Sequence, residues 1–435
     1  MIAVLLFVVF AALMLLGVPV AASLGLAGIV SIAADNLDSR WFGLIAAGQN
    51  ALAGISKFPL LALPMFVLVG VIFEKSGVAA RIITFATACL GRGPGMLPTV
   101  AVLVAVIMGG ISGSAVAGAA AVGGVMIAPM LKAGYPAPFS ASVIGAATAT
   151  EILVPPSIAL IVYSISVPGA SVPAMFAAGI LPGILAGLAL ILPSIWLSRR
   201  HGFGQNESAL DRPPFWASLR QAAWGLATPV LILGGMRVGL FTPTEAAVVA
   251  VIFGLFIGLV IYRTLGLRDL PELFREAAET SAVIMIVIAL ASIFAYAVTT
   301  LGIADPLVAG IVGLNLGSTG TLILVMAMLL MIGVVLDGVS IFLIFLIFLP
   351  LFVPLMQVFD WNAVWFGILI TMAIAIGTFT PPMAVNLLVT SRIAGISVEK
   401  TVPWVGWLVL GFSAALMTVL LVPGLATWLP AYFRY

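Results

Sequence analysis

The sequence predicts an all-α protein that crosses a membrane many times and is built from two inverted-topology repeats. Three observations lead there. The 435 residues are 63% hydrophobic and only 7% charged, with a mean hydropathy of +1.31, more apolar than any soluble core requires. Apolar runs recur near the ~20 residues that cross a bilayer. Four short matches, in order, join the two halves of the chain. Lys75-Ser76-Gly77-Val78-Ala79 resembles Thr300-Leu301-Gly302-Ile303-Ala304, and at the same offset Ile111-Ser112-Gly113 falls on Leu336-Asp337-Gly338. One residue later in register, Val154-Pro155-Pro156 falls on Thr380-Pro381-Pro382, and Gly169-Ala170-Ser171-Val172 falls on Gly395-Ile396-Ser397-Val398.

Taken in order, spans are expected at about 2–16, 17–33, 58–75, 137–167, 171–197, 223–241, 244–263, 281–300, 362–393 and 400–429. The first run, MIAVLLFVVF, lacks a basic segment, so it is expected to stay in the membrane rather than be cleaved as a signal peptide. Two apolar pairs, 95–131 and 318–358, each carry a Gly/Ser-rich break and are expected to be re-entrant hairpins. The first break has no charge, Pro, Asn or aromatic anchor, which suits a buried tip. Amphipathic connectors are expected near 36–56, 78–91 and 265–280. Thr242-Pro243-Thr244-Glu245 has the pattern of a capping box and marks a helix start.

The long polar stretch 198–222 is expected to be a cytoplasmic linker between repeats at 1–197 and 223–435. With it inside, Lys75, Arg81, Arg92, Lys132, Arg199, Arg200, Arg212, Arg220, Arg263, Arg268, Arg275, Arg392 and Lys400 lie inside as well. Only Arg40, Lys57, Arg237 and Arg434 fall outside, which is the bias of the positive-inside rule. Both termini are then expected on the periplasmic side. Each half has five full spans plus one hairpin, and the odd number inverts the second copy. Inverted repeats belong to secondary transporters, whose sites lie where broken helices meet near the midplane.

Four breaks carry the candidate chemistry: Gly109–Gly118, Glu151–Ser157, Asp337–Ser340 and Thr378–Pro382. A Pro-Pro pair lacks two amide donors and unwinds its helix. Unwound backbone at membrane depth needs burial in protein or contact with water. Its carbonyls and nearby hydroxyls suit a hard, weakly bound cation such as sodium, and half-helix N-termini suit an anion. Packing is the competing role for any single Gly/Ser patch or Pro kink.

Glu151 is the only acid or base between Lys132 and Arg199, and Asp337 is the deepest acid between Arg275 and Arg392. An intramembrane carboxylate implies ion binding, protonation or a polar contact, with capping of a half-helix as the alternative. No Lys or Arg lies in 133–198 or 276–391, so an anion at midplane would need bound cations and helix dipoles to neutralise it. Gly110-Ile111-Ser112-Gly113 also has the GxSG form of an intramembrane serine peptidase. That reading fails for want of a base, because the sole histidine, His201, sits beside Arg199 and Arg200 in the linker. One cysteine, Cys89, excludes an internal disulfide, and with a single His it leaves no zinc or iron cluster. The net charge of +2 argues against nucleic acid.

The run GGISGSAVAGAAAVGGVMIAPMLKAGY, then ILVPPSIALIVYS, FAAGILPGIL, TPTEAA, LDG and TPP, resembles the large membrane subunit of the tripartite ATP-independent periplasmic (TRAP) transporters, the DctM type. The resemblance covers essentially the whole chain. It implies sodium-driven uptake of a small organic acid across the bacterial inner membrane, with no cofactor beyond Na+ as coupling ion. It implies a periplasmic substrate-binding protein (DctP type) and a small four-helix membrane subunit (DctQ type), here unfused. The fold implied is similar to that of divalent-anion/sodium symporters and moves as an elevator. Carried over to this sequence, Ser112, Gly113, Ser114, Val154 and Pro155 would line one sodium site. Asp337, Gly338, Thr378, Thr380 and Pro381 would line the other, with substrate near Ser114, Ser157 and Asn386. No role is carried over to Glu151, where many relatives have a small residue; tuning of the first cation site or a proton-linked step is the expectation. The remaining alternatives are a channel whose breaks form a filter and a stand-alone symporter without a binding protein.

Overall fold

The computed structural model describes residues 2–35, 40–90, 93–207, 213–335 and 340–435. Asp337 and Gly338 lie outside the described residues. The first helices are α1 (Ile2–Leu15), α2 (Val20–Asp35), α3 (Arg40–Ile55), α4 (Ala62–Lys75, preceded by the 3₁₀ turn Phe58–Leu61) and α5 (Val78–Cys89). A helical pair follows, α6 (Met96–Ser112) and α7 (Ala115–Lys132). Next come α8 (Ala137–Thr148), the turn Ala149–Ile152, α9 (Ile158–Ser166) and α10 (Val172–His201). The second half comprises α11 (Phe215–Arg237), α12 (Pro243–Phe256), α13 (Leu270–Thr300), α14 (Ala304–Gly313), α15 (Gly317–Val335) and α16 (Ser340–Phe359). It closes with α17 (Ala363–Thr378), α18 (Val385–Ile393), α19 (Val402–Leu421) and α20 (Gly424–Phe433).

Among the described residues, seven helices are long and apolar enough to span a bilayer. Several others are shorter because the sequence interrupts them. Pro155 and Pro156 have no amide to donate, so the helix begun at Ala137 cannot continue into α9. Pro381 and Pro382 do the same between α17 and α18. Both Pro-Pro bonds are cis.

Four expected boundaries move. The Gly109–Gly118 break narrows to Gly113 and Ser114, because Gly109 to Ser112 and Ala115 to Gly118 keep helical bonding. The linker at 198–222 shortens, since α10 runs to His201 and α11 starts at Phe215. The connector near 265–280 is largely the first turns of one 31-residue helix, α13. The last span divides at Val422 and Pro423, where the proline cannot continue α19.

Side-chain caps fix the helix starts. Thr242 accepts from the Glu245 amide at 3.3 Å while the Glu245 carboxylate accepts from the Thr242 amide at 2.8 Å, completing the capping box. Asn362 Oδ1 accepts from the Val364 and Trp365 amides, both at 3.0 Å. Ser171 Oγ accepts from the Ala174 amide at 3.3 Å.

Packing divides the helices into two groups. One contains α1 to α5 with α11 to α13; the other contains α6 to α10 with α15 and α17 to α20, and α16 packs mainly on α13 with a smaller contact to α9. The two groups meet chiefly where α4, α5 and α11 touch α6 and through α16. At the centre of the second group, every residue of Phe139–Thr148 and of Val364–Thr378 is buried, so these stretches of α8 and α17 are enclosed by protein on all sides. Glycines permit the closest approaches. A Cβ on Gly377 would sit 2.5 Å from the Gly333 carbonyl oxygen, which places α17 directly against α15.

The base of the α6–α7 pair is tied to the chain that follows α10. Glu207, 5% exposed, accepts from the Leu97 amide at 2.9 Å and from the Tyr135 hydroxyl at 2.6 Å. Tyr135 in turn accepts from the Gly95 amide at 2.7 Å. The Leu97 amide in the first turn of α6 is thus capped by a carboxylate more than a hundred residues away in sequence. Burial raises the Glu207 carboxyl above its ordinary pKa, against the pull of those two hydrogen bonds.

Candidate functional site

The tip of the α6–α7 pair forms because Gly113 takes a left-handed conformation, φ +60°. Two constraints require glycine there. That region penalises any side chain, and an added Cβ would land on the Pro156 carbonyl oxygen. The tip is therefore seated on the first Pro-Pro break. Behind it, a Cβ on Gly109 would lie 2.9 Å from both the Glu151 Cα and the Val154 Cβ, so α6 packs against the same break. On the other face, Gly70 of α4 lets the Ser112 backbone approach.

A cavity of about 600 Å3 opens between the two groups of helices. Ser112, Gly113 and Ser114 line it from the tip, Ile152 and Ile158 from the two sides of the first break, and Thr378 and Val385 from the two sides of the second. Helices α4 and α13 supply the facing wall, which includes Glu74, Glu276 and Thr280. Glu276 pairs with Lys75 at 2.5 Å, each about 40% exposed.

Of the residues expected from sequence, Ser112, Gly113, Ser114 and Thr378 therefore share one cavity. Val154 and Pro155 lie behind the tip, and Ser157 is fully buried, donating to the Ile152 carbonyl at 2.5 Å. Asn386 is also fully buried; its Nδ2 donates to the Gly145 carbonyl and to Thr378 Oγ1, both at 3.2 Å, and its Oδ1 has no partner among the described residues. Asn386 thus ties the second break to α8. Thr380 Oγ1 donates to the Ile376 carbonyl at 2.6 Å, and Pro381 lies in the bend beyond it. Ala384, at the start of α18, is held at φ +28° and ψ +58°, a strained setting for a residue with a Cβ. Asp337 and Gly338 fall outside the described residues, so the chain shows one tip in detail.

Glu151 is fully buried. Its Oε2 accepts from Ser112 Oγ at 2.9 Å, while Oε1 has no partner among the described residues. The carboxylate lies against Gly118, where any Cβ would overlap both oxygens. A buried carboxylate in an apolar protein with one oxygen unmatched among the described residues is an unusual feature that calls for a chemical role. The sequence reading missed Glu74 and Glu276. Both stand at the polar ends of apolar runs, next to basic residues, and no local signal says that their helices meet. It also treated Glu207 as part of an exposed linker. His201 is exposed, with Nδ1 3.1 Å from the Leu197 carbonyl and its ring stacked on Phe203, far from Ser112 in the fold.

Apolar helices interrupted around an internal polar cavity have the architecture of a polytopic membrane transport protein. The family model described as "Tripartite ATP-independent periplasmic transporter, DctM component" matches residues 7–429. The chain belongs to that family and is a large permease component of a TRAP transporter. It is 35% identical to the C4-dicarboxylate TRAP transporter large permease protein DctM of Pseudomonas aeruginosa, over 94% of this chain and 92% of that one. It is 33% identical to the isethionate TRAP transporter permease protein DctMQ of Oleidesulfovibrio alaskensis, over 98% of this chain but only 66% of that longer one. In fold it is similar to the YdaH transporter of Alcanivorax borkumensis, with a TM-score of 0.61, 16% identity and 90% of each chain covered.

Proposed function

We propose that this chain imports a small organic acid by sodium-coupled secondary transport across the bacterial inner membrane. The observation that carries the reading is the convergence of the α6–α7 tip and both Pro-Pro breaks on one cavity between two packed groups of helices. Ser112, Gly113, Ser114, Val154 and Pro155 are assigned to one sodium site, and Asp337, Gly338, Thr378, Thr380 and Pro381 to the other. Glu151, through its unmatched oxygen, tunes the first. Substrate lies near Ser114, Ser157 and Asn386, its charge offset by the ions and by the N-termini of α9 and α18. The group of α6–α10, α15 and α17–α20 moves as an elevator against the other, with both termini periplasmic. A small membrane subunit and a periplasmic binding protein complete the transporter. The DctMQ name of one relative and the word tripartite in the family's description support those partners. Relatives whose names specify C4-dicarboxylate, isethionate and sialic acid support an organic anion as cargo.

The test is uptake by the complex reconstituted in vesicles with its binding protein. An inward sodium gradient should drive accumulation, and replacing sodium by choline should abolish it. Ser112→Ala should raise the sodium concentration for half-maximal rate about tenfold, the loss expected of one hydrogen-bonding ligand to a charge. Accumulation independent of sodium, or downhill flux only, rejects the coupling.

A further inference from the structure

The midplane of this chain offers an anion no fixed positive charge, since no Lys or Arg lies in 133–198 or 276–391. A positive charge does stand at the opposite end of α4 from Lys75. There a second cavity, of about 700 Å3, opens between the α9–α10 turn, the start of α17 and α20. Lys57 is the only Lys, Arg, Asp or Glu among its lining residues. Its Nζ donates to the Ile165 carbonyl at 2.8 Å, which uses one of three N–H groups, and among the described residues it pairs with no carboxylate within 4.0 Å. Partial burial holds its pKa below the ordinary lysine value, so its charge is one that a bound anion would stabilise.

Other donors surround it. Gly169 and Ser171 line the cavity, and the amide of each donates to no acceptor among the described residues. Asn362 lines it too; its Oδ1 caps α17, and its Nδ2 donates to no acceptor among the described residues. The described lining offers one ammonium, one amide group and two backbone N–H groups and has no Asp or Glu side chain, a donor set that suits an anion. The inner cavity carries Glu74 and Glu276 in its wall, with Glu276 paired to Lys75.

We propose that the outer cavity binds a free small carboxylate on Lys57, Asn362 and the Gly169 and Ser171 amides, as a waiting site before passage to the midplane. The proposal rests on the reading above for its outward placement and its organic-acid cargo. The site concentrates the anion beside α9, α10 and α17, and the carboxylate competes with Ile165 for the Lys57 ammonium.

Ser166, which lines the same cavity, supplies the reporter. In the full complex, with the single cysteine removed as Cys89→Ala, Ser166→Cys should react with a membrane-impermeant maleimide added from outside. Acetate and succinate should each slow that labelling several-fold at saturation, while the neutral succinamide should not. Lys57→Gln should raise the half-protecting concentration about tenfold or more, the loss of a charge-assisted contact, and Lys57→Arg should stay close to the parent. Labelling that occurs only from inside overturns the orientation, and the outer placement with it. Outside labelling with no protection by either carboxylate overturns the waiting site but leaves the transport reading intact. Protection indifferent to Lys57→Gln does the same. Protection by the binding protein alone, with no carboxylate present, makes the cavity a protein-docking surface and also rejects the site.

Discussion

Two glycines and one carboxylate set the geometry of the tip. Gly113 has neither the backbone region nor the space for a side chain, so Gly113→Ala combines left-handed strain with a collision against the Pro156 carbonyl. It should cost roughly 2–4 kcal/mol, seen as a lowered melting temperature in detergent. Gly118 differs, because the obstacle there is the Glu151 side chain rather than backbone. Gly118→Ala should impair uptake, and Glu151→Ala in the same chain should recover part of the folding yield. Additive losses in that double-mutant cycle would place the carboxylate elsewhere. Glu151 was legible in the sequence as an isolated acid in an apolar run. Its serine partner, 39 residues away, was not, because only the packing of α6 on the first break brings the two together.

The individual helices show how far local chemistry reaches. The capping box at Thr242, the Pro-Pro breaks and the glycine turn at 113 follow from backbone rules that act within a few residues. The anchoring of the α6–α7 pair is a different matter. Glu207 caps α6 from the far side of α10, and Tyr135 relays the contact to Gly95. Tyr135→Phe deletes one donor and one acceptor inside that cluster, leaving the Gly95 amide and one Glu207 oxygen unmatched. A loss of about 1–3 kcal/mol is expected, together with faster hydrogen exchange at residues 95–99. Unchanged exchange there would show that the cluster does not hold the base of the pair. Nothing near Glu207 in sequence marks it as buried, since QNES is as polar as any solvent-facing loop.

For the whole molecule, the division into two packed groups sets the expectation for motion. Gly110 of α6 meets Pro229 of α11 across their boundary, with the Pro229 Cβ 3.2 Å from an ideal Cβ on Gly110. A Gly110→Cys, Pro229→Cys pair in the Cys89→Ala chain is therefore near disulfide geometry. Oxidation should join the two groups and stop uptake, and dithiothreitol should restore it. Full uptake by the fully cross-linked protein would mean that this boundary does not move.

The sequence by itself determined the membrane class, the family and the places where helices must stop. Composition, proline and glycine act through solvation and backbone geometry, which are readable residue by residue. Family membership was readable because its motifs are contiguous runs such as GGISGSAVAG. Only the tertiary structure decided which breaks share a cavity, that Glu151 meets Ser112, that Glu74 and Glu276 face that cavity, and that Lys57 stands in a donor-rich one at the opposite end. Those facts depend on contacts between helices far apart in the chain. In an environment where every surface is apolar, hydrophobic patterning does not say which face meets which. The decision falls to close approach at glycines and to a few buried polar pairs.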